Sequence, residues 1–278
     1  MTDPAATAPT TRAGLTDHWA LLGLAVEAGR EAAQLVRDRR PHGRVEVAAT
    51  KSSATDPVTE IDRASESLIR DRLLTLRPDD GFLGEEDLTV EGTSGIEWVV
   101  DPIDGTVNFV YGLPAYAVSI AARRDGVVVA GFVVNVADRR EWGAVLGGGA
   151  HRLDGTGRPI VAPDPPAVSR LLVATGFGYD PGMRAAQGRS VAQLLPQVRD
   201  IRRMGAAALD LCALADGSVD AYVERGLAIW DHAAAGLVAT EAGCVLSGMD
   251  GPPDQRLVMG AHAAVAEEFF ALVRACGF

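Results

Sequence analysis

The chain has 278 residues, 47% of them hydrophobic and 5% aromatic, with a formal net charge of −11. That length supports a well-buried core, as one large domain or two smaller lobes, and the acidic balance leaves no basic surplus for general nucleic-acid binding. Cys212, Cys244 and Cys276 show no C-x-x-C pairing, so neither a disulfide framework nor a zinc site is expected.

Residues 1–14 lack bulky apolar side chains and read as a disordered tail, without the apolar segment of a signal peptide. The longest apolar run, Val127 to Val134, is too short to span a bilayer. A reduced, cytoplasmic compartment with no membrane partner is therefore expected. Thr16 or Asp17 can cap a helix whose apolar positions Leu21, Leu22, Ala25, Ala28, Ala32, Leu35 and Val36 recur at helical spacing, ending before Pro41. After the polar stretch Lys51 to Pro57, a second amphipathic helix carries Ile61, Leu68, Ile69, Leu73 and Leu74, with Asp62 in its first turn. Phe82 to Glu86 reads as a short strand ending in two acids. Strands are expected at Ala115 to Arg124, Val127 to Val136 and Glu141 to Leu146, with Asp125-Gly126 as a hairpin turn. The first lobe, residues 15–158, is thus an α+β arrangement of helices on an antiparallel sheet. Beyond the proline-rich boundary at Pro159 to Pro166, strands alternate with helices up to a closing helix at Val265 to Cys276. Residues 159–278 therefore read as an α/β lobe with a mostly parallel sheet.

The most informative stretch is W-V-V-D-P-I-D-G-T-V-N-F, Trp98 to Phe109. Asp101 ends a buried strand, Pro102 forces a turn, and Gly105-Thr106 opens a helix. Two carboxylates beside a helix N-terminus can hold a hard cation, and the free amides of the first turn can hold a phosphate. Asp62, Glu85 and Asp231 add further acids at element ends. Singly, Asp62 and Asp231 read as ordinary first-turn carboxylates and Glu85-Glu86 as a solvated pair. Together they would repel one another unless cations neutralised them.

G-E-E at Gly84 to Glu86, D-P-I-D-G-T-V-N-F at Asp101 to Phe109 and W-D-H-A-A-A-G at Trp230 to Gly236 occur in an order that resembles the signatures of the inositol monophosphatase family. K-S-S-A-T-D-P-V-T-E-I-D, Lys51 to Asp62, is similar to the family pattern as well, and the likeness extends from about Asp17 to the C-terminus. The resemblance implies a layered α-β-α-β-α fold, a homodimer, and Mg²⁺-dependent, lithium-inhibited phosphomonoesterase activity with two to three ions. By that resemblance Glu85, Asp101 and the Ile103 carbonyl hold one Mg²⁺. Asp101, Asp104 and Asp231 hold a second, and a weaker third sits near Glu85 and the Lys51 to Asp56 loop. Asp62 would hydrogen-bond Thr106, and Thr106 with Glu85 would orient the attacking water.

An all-oxygen ligand set suits Mg²⁺, and Gly105, lacking Cβ, lets the Gly105 and Thr106 amides approach phosphate oxygens. Glu224 aligns with the family's polyol-binding acid, and Gly205-Ala206-Ala207 with its polyol-contacting loop, although many relatives carry Ser or Thr at Ala206. Arg202 and Arg203 read as a solvated basic pair, and Trp230 as core packing behind Asp231. The substrate expected is a small phosphorylated polyol, inositol 1-phosphate. Same-fold rivals are histidinol phosphate, fructose bisphosphate and a 3′-phosphoadenosine nucleotide. A regulatory or RNA-associated binding role is the alternative of another class.

Overall fold

Layers of helices and sheets alternate through the computed structural model, which describes residues 12–41, 43–50, 57–86, 89–155 and 157–278. The first helix, α1 (Arg12–Arg39), starts ahead of the expected caps at Thr16 and Asp17. Leu15 packs against the core below, which holds the preceding turn in helical form. The earlier part of the expected tail and the loop at residues 51–56 lie outside the described residues. Strands β1 (Ala49–Thr50) and β2 (Pro57–Val58) pair with each other. Helix α2 (Glu60–Leu76) starts at a reciprocal capping box: Thr59 Oγ1 accepts the Ile61 and Asp62 amides, and Asp62 accepts the Thr59 amide at 2.8 Å.

The main sheet then forms from β3 (Gly81–Gly84), β4 (Thr89–Val90), β5 (Ile96–Asp104), β6 (Ala117–Arg124), β7 (Val127–Asn135), β8 (Glu141–Val145), β9 (Gly149–Arg152) and β10 (Pro159–Ile160). Its spatial order is β10-β9-β8-β7-β6-β5-β3-β4, antiparallel except where β3 runs parallel to β5. Both faces are covered, which is why β6 and β7 read as nearly continuous apolar runs. Val118, Ile120 and Ala122 point to one core while Ala117 and Ala121 point to another, as the two-residue period of a strand requires. Burying a side chain such as Phe132 or Ile120 completely contributes about 1.5–3 kcal/mol.

The short helix α3 (Thr106–Tyr111) follows β5. The second sheet is built from β11 (Leu172–Thr175), β12 (Asp200–Arg202), β13 (Ala221–Glu224), β14 (Cys244–Ser247) and β15 (Val258–His262). They are interleaved with α4 (Pro181–Leu194), α5 (Ala207–Asp216), α6 (Ile229–Glu241) and α7 (Ala266–Ala275). The order is β12-β11-β13-β15-β14. The pairings of β11 with β12 and β13 are parallel and those of β15 with β13 and β14 antiparallel, so this sheet is mixed rather than mostly parallel. Strand β14 returns directly into β15 without a crossover helix, and such neighbours run antiparallel.

Helices α5 and α6 fill the space between the two sheets, with α1 and α2 outside the first and α4 and α7 outside the second. The α6 run Ala233-Ala234-Ala235-Gly236 lies so close to β7 that a Cβ on Gly131 would stand 2.7 Å from the Ala234 carbonyl oxygen. That tight central layer brings acids from both halves of the chain to one place.

Candidate active site

Glu85 and Asp101 each follow the last pair of the parallel ladder between β3 and β5. Gly84 is in register with Val100, and the Glu85 amide donates to the Val100 carbonyl at 3.2 Å. The turn expected at Pro102 is absent: β5 continues to Asp104 through a bulge, with Asp101 facing Ser119 and Asp104 facing Ala117. Pro102 has no amide to give a ladder, and a bulge is where a sheet tolerates that loss. Inside the bulge the Ile103 amide donates to Asp101 Oδ1 at 3.1 Å, and Ser65 Oγ donates to the Pro102 carbonyl at 3.1 Å.

Gly105 then takes a left-handed φ of 84°. A Cβ there would lie 2.9 Å from the Ala115 carbonyl oxygen and 3.1 Å from Ala206 Cβ, so backbone conformation and packing both demand glycine. Thr106 follows, buried, with its Oγ1 3.3 Å from Asp62 Oδ1 and 3.0 Å from the Ile103 carbonyl. Asn108 straps α3 to the next wall, donating to the Ala115 carbonyl at 2.8 Å and to the Met204 carbonyl at 2.7 Å.

Asp104 reaches across to the second half of the chain. Its carboxylate accepts the Ala207 amide at 3.2 Å and the Ala208 amide at 2.7 Å. Helix α5 has Ala206 at its cap position and no side-chain cap of its own, so an acid distant in sequence does the capping. Each carboxylate oxygen keeps a further lone pair for another partner. Asp231 sits in the first turn of α6, where it accepts the Ala228 amide at 2.6 Å. Glu224 ends β13; Tyr222 Oη donates to its Oε2 at 2.8 Å, and Gly176 leaves the space its carboxylate occupies, which a Cβ would overlap.

Electrostatically the ring is strained. Burial pushes the Asp104 carboxyl up to about 7, helped by the charges of Glu85 and Glu224 and opposed by the Ala208 and Ala207 amides. Burial also lifts Glu224 to about 7, against Tyr222 and Arg203. Asp231 is raised well above the usual carboxylate range by burial and then by Glu85 and Asp104. Such a set holds its full charge only with positive charge among it. The donors are all oxygen, the chemistry Mg²⁺ takes. Among the described residues no three His, Cys, Asp or Glu are gathered closely enough to hold a metal ion by themselves.

A cavity of about 450 Å³ collects these groups: Glu85, Asp101, Ile103, Asp104, Gly105, Thr106, Gly205, Ala206, Ala207, Glu224 and Asp231 all line it. Asp62 does not; it stands buried behind Thr106. Arg202 and Arg203 part company. Arg202 pairs with Asp200 at 2.6 Å, while Arg203, just past the end of β12, turns to the cavity. Trp230 packs against the central core and also lines the cavity, so it is not only a core residue. The sequence reading missed the rim at Phe177, Gly178, Tyr179 and Met183, whose apolar pattern looks like ordinary strand-to-helix connection. It also missed Asp210, buried in α5 with neither carboxylate oxygen hydrogen-bonded among the described residues. Burial, then Glu224 and Asp104, raise Asp210 well above the carboxylate range. An acid in the apolar run A-L-D-L-C-A-L-A was the available signal.

Known proteins match most of the chain in sequence and in fold. The sequence model of the Inositol monophosphatase family matches residues 19–277. Inositol-1-monophosphatase SuhB of Mycobacterium tuberculosis is 47% identical over 232 residues, 81% of this chain and 80% of the relative. Nus factor SuhB of Pasteurella multocida is 37% identical over 233 residues, covering 83% and 86%. The solved structure of Mycobacterium tuberculosis SuhB superposes with a TM-score of 0.79 at 43% identity, covering 92% of this chain and 96% of that one.

Proposed function

The chain belongs to the inositol monophosphatase family, and from that premise we propose that it is a Mg²⁺-dependent phosphomonoesterase releasing phosphate from myo-inositol 1-phosphate. The phosphatase class follows from the family; the ester, the ion and the residue roles are our reading. The observation that carries it is the single cavity where Glu85, Asp101, Asp104 and Asp231 converge from both halves of the chain, with Glu224 on the same wall.

Glu85, Asp101 and the Ile103 carbonyl would hold one Mg²⁺, Asp101, Asp104 and Asp231 a second, and Glu85 would lie near a third. Bound Mg²⁺ supplies a more acidic water and neutralises phosphate charge. The chain's own residues do the rest. The Thr106 hydroxyl donates its hydrogen bond to Asp62, which leaves the Thr106 lone pairs to orient the attacking water. Glu85 stands beside them as the group that accepts a proton from that water. The Gly105 and Thr106 amides face phosphate oxygens. Gly205, Ala206 and Ala207 bound the polyol, and Glu224 and Asp231 accept hydrogen bonds from its hydroxyls.

We read residues 15–158 and 159–278 as two lobes of one catalytic unit. The cavity draws walls from both, and β10 of the second stretch extends the sheet of the first. A cytoplasmic, lithium-inhibited homodimer without general nucleic-acid or membrane partners completes the reading. The exposed apolar side chains Val47, Tyr111, Leu113 and Met204 support a partner surface near α3, and no helix among the described residues is long and apolar enough to cross a membrane. Sedimentation at micromolar concentration tests the dimer.

The deciding assay is phosphate release with Mg²⁺ from myo-inositol 1-phosphate, histidinol phosphate, fructose 1,6-bisphosphate and a 3′-phosphoadenosine nucleotide. The highest kcat/KM is expected for the inositol ester; a clearly higher value for another ester overturns the assignment. The Nus factor name of the Pasteurella relative favours a second reading, a regulatory or RNA-associated binding role. Capture of the same extract proteins by wild type and by Asp104→Asn would support it.

A further inference from the structure

Helix α2 carries a buried stripe whose far end is apolar, Ile69 and Leu73, and whose near end is polar, Asp62, Ser65 and Glu66. Ser65 and Glu66 lie three and four residues after Asp62, so both neighbour it along the helix surface. Each takes hold of a different piece of the site. Asp62 accepts from Thr106, and Ser65 donates to the Pro102 carbonyl inside the β5 bulge. Glu66, fully buried, accepts the backbone amide of Glu86 at 2.8 Å through Oε2.

Gly84 shows how closely this last contact is built. A Cβ at that position would overlap the Glu66 carboxylate, and Gly84 does not have a positive φ. The glycine of G-E-E is therefore required by the Glu66 side chain packed against its Cα, not by its own backbone conformation. A carboxylate is costly to bury, and an apolar side chain would fill the same space without that cost. What an apolar side chain cannot do is hold the Glu86 amide.

We propose that Glu66 is a positioning residue of the metal site: it grips the Glu85-Glu86 turn through the Glu86 amide, across Gly84, and so sets where Glu85 points. The inference rests on the reading of Glu85 as a cation ligand. Groups that orient a ligand from behind typically affect metal affinity about 10–100-fold.

The test is the binding of Mn²⁺, which oxygen donors accept as they do Mg²⁺, to the full chain by electron paramagnetic resonance of the free ion. Glu66→Ala is expected to weaken Mn²⁺ binding at least about tenfold. Glu66→Gln keeps an acceptor oxygen in place and is expected to recover most of that loss. Gly84→Ala, which displaces the Glu66 carboxylate without removing it, is expected to resemble Glu66→Ala. The KM for the phosphate ester at saturating metal should stay near wild type in all three. Folding is checked by thermal melting, and if Glu66→Ala does not fold, Gly84→Ala decides. A folded Glu66→Ala or Gly84→Ala that binds Mn²⁺ as wild type does overturns the proposal, and so does a Glu66→Gln as weak as Glu66→Ala. Glu85→Gln separates the two readings. If it binds Mn²⁺ normally, the assignment of Glu85 fails and takes the inference with it; if it alone loses binding, only the inference fails.

Discussion

Replacing Asp104 by Asn separates two duties of one side chain. In the wild type its oxygens accept the Ala207 and Ala208 amides at the uncapped start of α5. An Asn oxygen can serve one of these amides, while its NH₂ faces the other, leaving a buried donor unpaired at a cost of about 1–3 kcal/mol. The same change removes a carboxyl that burial, Glu85 and Glu224 have already pushed up to about 7, which relieves repulsion and desolvation. Without a divalent cation the two effects oppose, and Asp104→Asn should melt close to wild type. With the cation at about a hundred times its Kd, wild type gains about 2.7 kcal/mol. For a chain of this size that is a rise in Tm of about 5–10 °C. The variant, short of a predicted ligand, should show little of this rise and should lose several orders of magnitude in phosphate release. Scanning calorimetry with Mg²⁺ or with a chelator, paired with a phosphate-release assay, measures both. A full cation-induced rise together with unchanged activity would refute the assignment of Asp104.

The pH dependence has a definite sign. Asp104 and Glu224 bind protons more tightly folded, at about 7, than unfolded, near their ordinary 3.8 and 4.5. Their contribution to stability is therefore fully present below about pH 4 and is lost as pH rises from there through about 7, so Tm without cation should fall between about pH 4 and 7 and level off above. Mg²⁺ should flatten that fall, and a Tm rising across the window would contradict the burial of these acids. Gly176→Ala places a Cβ against the Glu224 carboxylate; KM for inositol 1-phosphate should rise about tenfold, or 1.4 kcal/mol, while turnover of a small aryl phosphate holds. Equal loss on both esters would remove Glu224 from substrate recognition. Gly131→Ala forces β7 from α6, where the added carbon would meet the Ala234 carbonyl oxygen at 2.7 Å. Denaturant unfolding should show a loss of about 1–3 kcal/mol, and an unchanged midpoint would mean that the central layer yields freely.

Much of this molecule is legible in the chain itself because local chemistry decides it. Helical spacing from Leu21 to Val36, the Asp125-Gly126 turn and the apolar runs of β6 and β7 follow from periodicity and turn residues. The acids Glu85, Asp101, Asp104 and Asp231 could be picked out because carboxylates beside apolar strand and helix ends are costly without a counter-charge. Tertiary structure decided what local rules cannot reach. Pro102 reads as a turn from its missing amide, yet pairing with β6 carries the strand past it as a bulge. Arg203 reads as Arg202's solvated twin until the chain leaving β12 turns it to the cavity. Asp104 caps a helix that starts over a hundred residues later, and Glu66 holds the amide of Glu86 across Gly84. These contacts join residues far apart in the chain, and their energy depends on burial and aim, quantities that exist only once the layers have closed around them.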